Sequence, residues 1–278
     1  LKTADKSLVG DTLRDLKFTG ISWRGTEGFY YSSYDKPKGS QLSAKTQYHK
    51  IYYHKRGTPQ KNDQMVFGGE KTPRRYAGAG LTEDERFLII SASVSTTGNE
   101  LYIQDLKNPK AKLVQIVNNF DHNHGIIDND GTTLIIQTDL DAPNSRVVAV
   151  DFSNPGPGNW KDIIPETENA MQGVSTANRK LFVISLKAAS TFVRQYDYKG
   201  NLERDIELPG IGSAGGIGGK VDEMEDYYSF TSFTSPTSIY KLDIATGKST
   251  LYEQPKVDFN PAEYETKQVF YTSKDGTK

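Results

Sequence analysis

The 278-residue sequence contains no cysteine. That excludes a disulfide scaffold, a thiol nucleophile and any thiolate metal site. It leaves the redox compartment open, because a chain without thiols suits either one. An excess of charge is also missing: 34 basic side chains stand against 35 acidic ones. Without a basic excess there is no driving force toward nucleic acid, and no such partner is expected. Apolar runs stop at about four residues, as at Phe87 to Ile90, Val147 to Val150 and Leu181 to Ile184. A membrane span needs about twenty. No membrane partner is therefore expected, and the protein should be soluble, in cytoplasm or periplasm. The opening Leu1-Lys2-Thr3-Ala4-Asp5 has no apolar signal core. No stretch of ten or more residues keeps a 3.6-residue apolar period, and the one place for a helical turn is Glu166 to Met171.

What is present is strand chemistry, with 16 Tyr, 12 Phe and short β-branched runs. One segment type recurs: strand-forming residues, then Asp, then a turn. It reads Tyr102-Ile103-Gln104-Asp105, Val148-Ala149-Val150-Asp151, Arg194-Gln195-Tyr196-Asp197 and Tyr240-Lys241-Leu242-Asp243, and the aspartates stand 46 residues apart each time. After each comes turn chemistry: Asn108-Pro109, Asn154-Pro155, Lys199-Gly200-Asn201 and Thr246-Gly247-Lys248. The repeated aspartates are therefore read as turn caps.

A second track runs beside the first. Phe87 to Ser91 is matched by Leu134 to Thr138, Leu181 to Ser185 and Tyr227 to Thr231, at steps of 47, 47 and 46 residues. An earlier copy, Phe29 to Ser33, is displaced further, which fits a loop insertion at Lys36 to Gln47. Each unit opens on a strand with small residues, at Gly20, Gly78 to Gly80, Gly125, Gly173 and Gly215 to Gly219. The expected reason is crowding, since innermost strands leave no room for large side chains. About four strands per 46 residues is the blade signature of a β-propeller. The expected fold is all-β, with about five four-stranded antiparallel blades in units 18–68, 76–117, 124–165, 172–209 and 216–255. No Trp-Asp dipeptide closes a unit, and no glycine pair recurs in every unit, so the WD and kelch types lack support.

The chain resembles the propeller domain of the prolyl oligopeptidase family. The resemblance rests on Lys17-Phe18-Thr19-Gly20-Ile21-Ser22-Trp23, on His49 to His54 followed by Gly57-Thr58, and on Asp151-Phe152-Ser153-Asn154-Pro155 leading to Trp160-Lys161. It continues through Phe230 to Pro236 and is most specific from Tyr264 to Lys278. It implies the last five blades of a seven-bladed propeller. Residues 256–278 would then lead toward an α/β-hydrolase domain that these residues do not include. On that basis, and because Lys274-Asp275-Gly276-Thr277 reads as a hairpin turn without its returning strand, the chain is expected to be a piece of a longer serine peptidase that cleaves short peptides after proline. The hydrolase domain and proline-containing peptide are the implied partners, and the propeller would gate access. Among side chains, the resemblance implies substrate contact by Phe18 and Tyr76. Packing at blade starts is the alternative for both. The resemblance implies that a substrate-reaching arginine of the family stands here as Ser93 or is absent.

Catalytic residues are not expected in this chain. No serine lies in a Gly-x-Ser-x-Gly elbow: Gly20-Ile21-Ser22-Trp23-Arg24-Gly25 fails by one position and Gly212-Ser213 by register. Gly210-Ile211-Gly212-Ser213-Ala214-Gly215 matches a dinucleotide fingerprint as a string, but strand units lie on both sides of it, and it is read as a connection. No cofactor is expected. His122 and His124, two apart and near Asp121 and Asp128, present a pair that a metal could use. They are read as solvated loop histidines, His49 and His54 as a surface pair, and no metal site is expected. Two further readings stay open: a stand-alone module binding peptide or glycan, and a five-bladed glycosidase with two acids at its axis.

Overall fold

The computed structural model describes residues 4–7, 10–14, 16–34 and 47–277. The expected insertion at Lys36 to Gln47 lies, save for Gln47, outside the described residues, as do Leu1 to Thr3 of the opening segment. Among the described residues the chain forms five four-stranded sheets, each with its strands in chain order. The first comprises β1 (Ile21–Arg24), β2 (Gly28–Ser33), β3 (Lys50–Lys55) and β4 (Gln64–Gly68). The second comprises β5 (Tyr76–Leu81), β6 (Phe87–Ser93), β7 (Glu100–Asp105) and β8 (Val114–Val117). The third comprises β9 (His124–Asp130), β10 (Thr133–Thr138), β11 (Arg146–Asp151) and β12 (Lys161–Ile164). The fourth comprises β13 (Ala170–Ala177), β14 (Lys180–Lys187), β15 (Ser190–Asp197) and β16 (Leu202–Ile206). The fifth comprises β17 (Ser213–Gly215), β18 (Glu225–Thr231), β19 (Ser238–Asp243) and β20 (Ser249–Glu253).

This is the all-β, four-stranded antiparallel arrangement that the repeat implies. Among the described residues, helix is limited to short 3-10 turns such as Gln60–Asn62 and Pro157–Asn159. The helical turn expected at Glu166 to Met171 is not formed. Ala170 and Met171 instead open β13, where Met171 pairs with Ser185. Among the described residues no helix is long and apolar enough to cross a membrane.

The chain divides into two compact units, Leu1–Leu140 with Ala149–Lys161 and Asp141–Val148 with Asp162–Lys278, so the division falls within the third sheet. In the first unit, an apolar layer joins the first two sheets. Tyr30 and Ile51 meet Ala77, Leu88, Ile90 and Ala92, all at most 4% exposed. In the second unit, Phe182, Val193 and Ile206 of the fourth sheet pack with Tyr228, Phe230 and Leu242 of the fifth. Full burial of each such side chain contributes about 1.5–3 kcal/mol.

The repeated aspartates do cap turns. Asp105 accepts from the Lys107 N–H at 3.0 Å, Asp151 from Ser153 at 2.9 Å, Asp197 from Lys199 and Asn201 at 2.9 and 2.8 Å, and Asp243 from Thr246 at 2.8 Å. The N–H bonds from Ser153 and Thr246 hold the carboxyls of Asp151 and Asp243 below the usual carboxylate range.

The crowding expected at the opening segments is found at Gly218, where a Cβ would lie 2.9 Å from the Ser175 Cβ of β13, but not in the other units. A Cβ added at Gly78, Gly80, Gly125 or Gly173 would meet nothing within 4 Å. These first strands are sheet edges, and their small residues leave space instead of filling it. A still closer approach occurs at a turn. Gly200, between β15 and β16, has φ +84°, and a Cβ there would lie 1.9 Å from the Ile163 carbonyl oxygen. Gly200→Ala should therefore cost about 2–4 kcal/mol in urea unfolding, and Gly78→Ala less than about 0.5 kcal/mol. Equal effects at the two positions would contradict this account of the glycines.

Candidate peptide-contact site

Phe18 lies just before β1, and Tyr76 is the first residue of β5. The fold brings their rings to 5.9 Å, edge to face at 88°. That is a favoured geometry, because the positive edge of one ring meets the negative face of the other. Both rings are open to solvent, at 60% and 45% exposure. The Lys17 ammonium lies 5.1 Å from the Phe18 ring centre. Phe18 has φ +54°, a left-handed backbone that costs a bulky residue about 1–3 kcal/mol. Ser93 pairs directly across from Tyr76 on β6, so that position brings no cation to the pair.

Buried polar groups hold both residues from below. The Ser32 N–H donates to Thr19 Oγ1 at 2.9 Å, and Ser32 Oγ donates to the Ala77 carbonyl at 2.7 Å. The Ala77 N–H donates to His49 Nδ1 at 2.9 Å. Next to Tyr76 on its other side, Arg75 makes a two-pronged ion pair with Glu100, at 2.7 and 3.1 Å, and stacks 4.4 Å from the Phe120 ring centre. An open aromatic pair of this kind packs an apolar ring. It contributes no nucleophile and no acid–base pair.

The histidines depart from expectation. His49 and His54, expected as a surface pair, are 1% and 0% exposed: His49 lies against Ala77 and Tyr76 of β5, and the His54 ring packs 5.0 Å from that of Phe29. His54 Nδ1 lies 2.8 Å from Asp63 Oδ1, and the Tyr31 hydroxyl donates to the other Asp63 oxygen at 2.8 Å. Burial and that carboxylate push the Tyr31 hydroxyl pKa upward. Nor is His124 a solvated loop residue. It opens β9 at 6% exposure, with Nδ1 2.9 Å from Thr138 Oγ1 and its ring edge-on to Trp160 at 5.5 Å. His122 is only partly covered and pairs with Asp139 at 3.3 Å. Among the described residues no three His, Asp or Glu side chains gather where they could hold a metal ion. Sequence reasoning missed Ser32, Arg75 and Glu100 and misplaced His49, because their roles depend on contacts distant in the chain that no local string displays.

A family model described as "Prolyl oligopeptidase, N-terminal beta-propeller domain" matches residues 1–255. The chain belongs to the prolyl oligopeptidase family. It is 50% identical to the prolyl endopeptidase of Elizabethkingia miricola over all of this chain and 39% of that protein. A solved structure from a study of two prolyl endopeptidases superposes with a TM-score of 0.87 at 32% identity, covering 99% of this chain and 39% of that one. Prolyl oligopeptidase B of Galerina marginata, solved with a 35mer hydrolysis and macrocyclization substrate, superposes with a TM-score of 0.86 at 25% identity, over 100% of this chain and 40% of that one. The chain thus spans about two fifths of the length of these relatives, and what it spans is the propeller.

Burial makes two histidines of this prolyl oligopeptidase propeller resist protonation. It pushes His124 down to about 4, with Asp139 opposing and His122 assisting, and it also lowers His49. For a histidine with a depressed folded pKa, the unfolded chain takes up the proton first. The stability is complete above the unfolded pKa of about 6.5 and is lost as pH falls toward the folded value. Urea unfolding at pH 7 and pH 4 should therefore show a loss of about 3 kcal/mol that His124→Asn, which does not titrate, removes. An unchanged pH dependence in that variant would reject the assignment.

Proposed function

We propose that this propeller is the non-catalytic part of a serine peptidase that cleaves short peptides after proline, and that it governs which substrates reach an attached α/β-hydrolase domain. On this reading residues 1–255 are the blades, in the units 18–68, 76–117, 124–165, 172–209 and 216–255. Residues 256–278 lead toward the hydrolase domain. Phe18 and Tyr76 touch the peptide. The observation that carries this reading is the exposed edge-to-face pair, formed by Phe18, whose backbone is left-handed, and Tyr76 of β5. Such an arrangement is costly to maintain and suits an apolar ring. The fungal relative solved with a 35mer substrate supports peptide as the ligand class. Exclusion of folded proteins would be steric, since a rigid frame passes an extended chain and stops a packed one.

The test uses the chain itself with an N-acetylated, proline-containing tripeptide amide, measured by calorimetry. Saturable binding is expected, weakened about tenfold or more by Phe18→Ala or Tyr76→Ala. No product should form from fluorogenic proline peptides, because the chain carries no nucleophile elbow. Turnover that co-purifies with the chain and resists serine-directed inhibitors would overturn the reading, as would equal affinity for peptides lacking proline.

A further inference from the structure

Two exposed rings cannot fix each other's position. Phe18 and Tyr76 are each about half open to solvent, and the Phe18 backbone sits in a region that a bulky residue avoids. Something buried must hold the two ends. Ser32, on β2 and 2% exposed, reaches both. Its N–H holds Thr19, the neighbour of Phe18, and its hydroxyl holds Ala77, the neighbour of Tyr76. His49 completes the bridge. Its Nδ1 accepts the Ala77 N–H, and its ring stands 6.3 Å from Tyr76 at 62°. Because β5 is an edge strand, the outward N–H and C=O of Ala77 have no partner in their own sheet. Both are taken by the first sheet. The N–H donor also fixes the tautomer, with the lone pair on Nδ1 and the proton on Nε2.

We propose that Ser32 and His49 are positioning residues that lock the Phe18–Tyr76 pair into the geometry that meets the peptide. The inference rests on the reading of that pair as a peptide contact, but it makes a claim about ring positions that can be measured separately. Neither residue touches the peptide. They act through Thr19 and Ala77.

The experiment uses the 278-residue chain with His49→Leu, which keeps bulk and removes the acceptor. His49→Asn keeps an acceptor near the place of Nδ1, and Ser32→Ala removes the hydroxyl donor. Two quantities are read: the nuclear Overhauser effect between the Phe18 and Tyr76 ring protons, and the affinity for the acetylated proline tripeptide amide. With far-UV circular dichroism unchanged, His49→Leu and Ser32→Ala should lose the ring-to-ring signal and bind about tenfold more weakly. His49→Asn should recover both to within about twofold of the parent. Rescue of that kind separates positioning from general packing. If His49→Leu does not fold, the comparison of Ser32→Ala with His49→Asn decides. A ring-to-ring signal retained in both His49→Leu and Ser32→Ala would overturn the proposal. Loss of that signal in chains that all fail to bind peptide, the parent included, would uphold the clamp and reject the peptide-contact reading.

Discussion

Middle strands such as β2, β10 and β14 carry consecutive buried residues on both faces, and much of the remaining structure follows from that condition. Leu134, Ile135 and Ile136 are consecutive residues of β10, exposed by 0%, 1% and 0%. Successive strand residues point to opposite faces, so an isolated sheet could cover only alternate ones. Leu88 and Ile90 in one unit, and Phe182 and Tyr228 in the other, find their cover in a neighbouring sheet. Truncating such a residue typically costs about 2–5 kcal/mol, comparable with a large part of a domain's net stability. A single four-stranded unit would therefore not stand alone, and the repeat is the means by which each sheet's apolar faces are met.

A dry layer between sheets makes polar groups within it consequential. Gln195, at 1% exposure, donates to Glu203 and to the Ile244 carbonyl. Asn99 exchanges bonds with the backbone of His124, donating to its carbonyl and accepting from its N–H. Ser32 and His49 do the same for Ala77. In each case a side chain of one strand satisfies a backbone or acceptor group of another, because leaving it unpaired would cost about 1–3 kcal/mol. The apolar layers hold sheets together without specifying their alignment to a fraction of an ångström. The directional bonds supply that alignment.

The architecture was legible because it depends on spacing. The 46-residue recurrence of Asp105, Asp151, Asp197 and Asp243 marked turns whose capping bonds are present. The register was less legible. Asp105, Asp197 and Asp243 pair across with Phe87, Lys180 and Glu225, so aligning Leu181 and Tyr227 with Phe87 by apolar character slips by one and two residues. Third-to-fourth strand irregularities recur at Ile51/Tyr52, Leu101/Tyr102, Gln195/Tyr196 and Ile239/Tyr240, each with Tyr as the second residue. Bulges there bend the outer edge and blunt its tendency to pair with other chains. Histidine burial was not legible at all. A polar residue beside Lys50 and Lys55 reads as surface, and only the packing of β5 on His49 and of Phe29 on His54 shows that it is not.

These two levels of organisation explain why the aromatic pair sits where it does. A middle-strand residue is enclosed and can meet no ligand, whereas a loop residue is free but poorly placed. The start of an edge strand offers both access and alignment. Phe18 and Tyr76 project from such positions, with their backbone neighbours tied to Ser32 and His49 inside the dry layer. Aligned rings lose little freedom when a third ring packs against them, so less of the contact energy is spent on ordering. The left-handed backbone of Phe18 has the same logic: the strain is met when the chain folds, and ligand binding does not have to supply it.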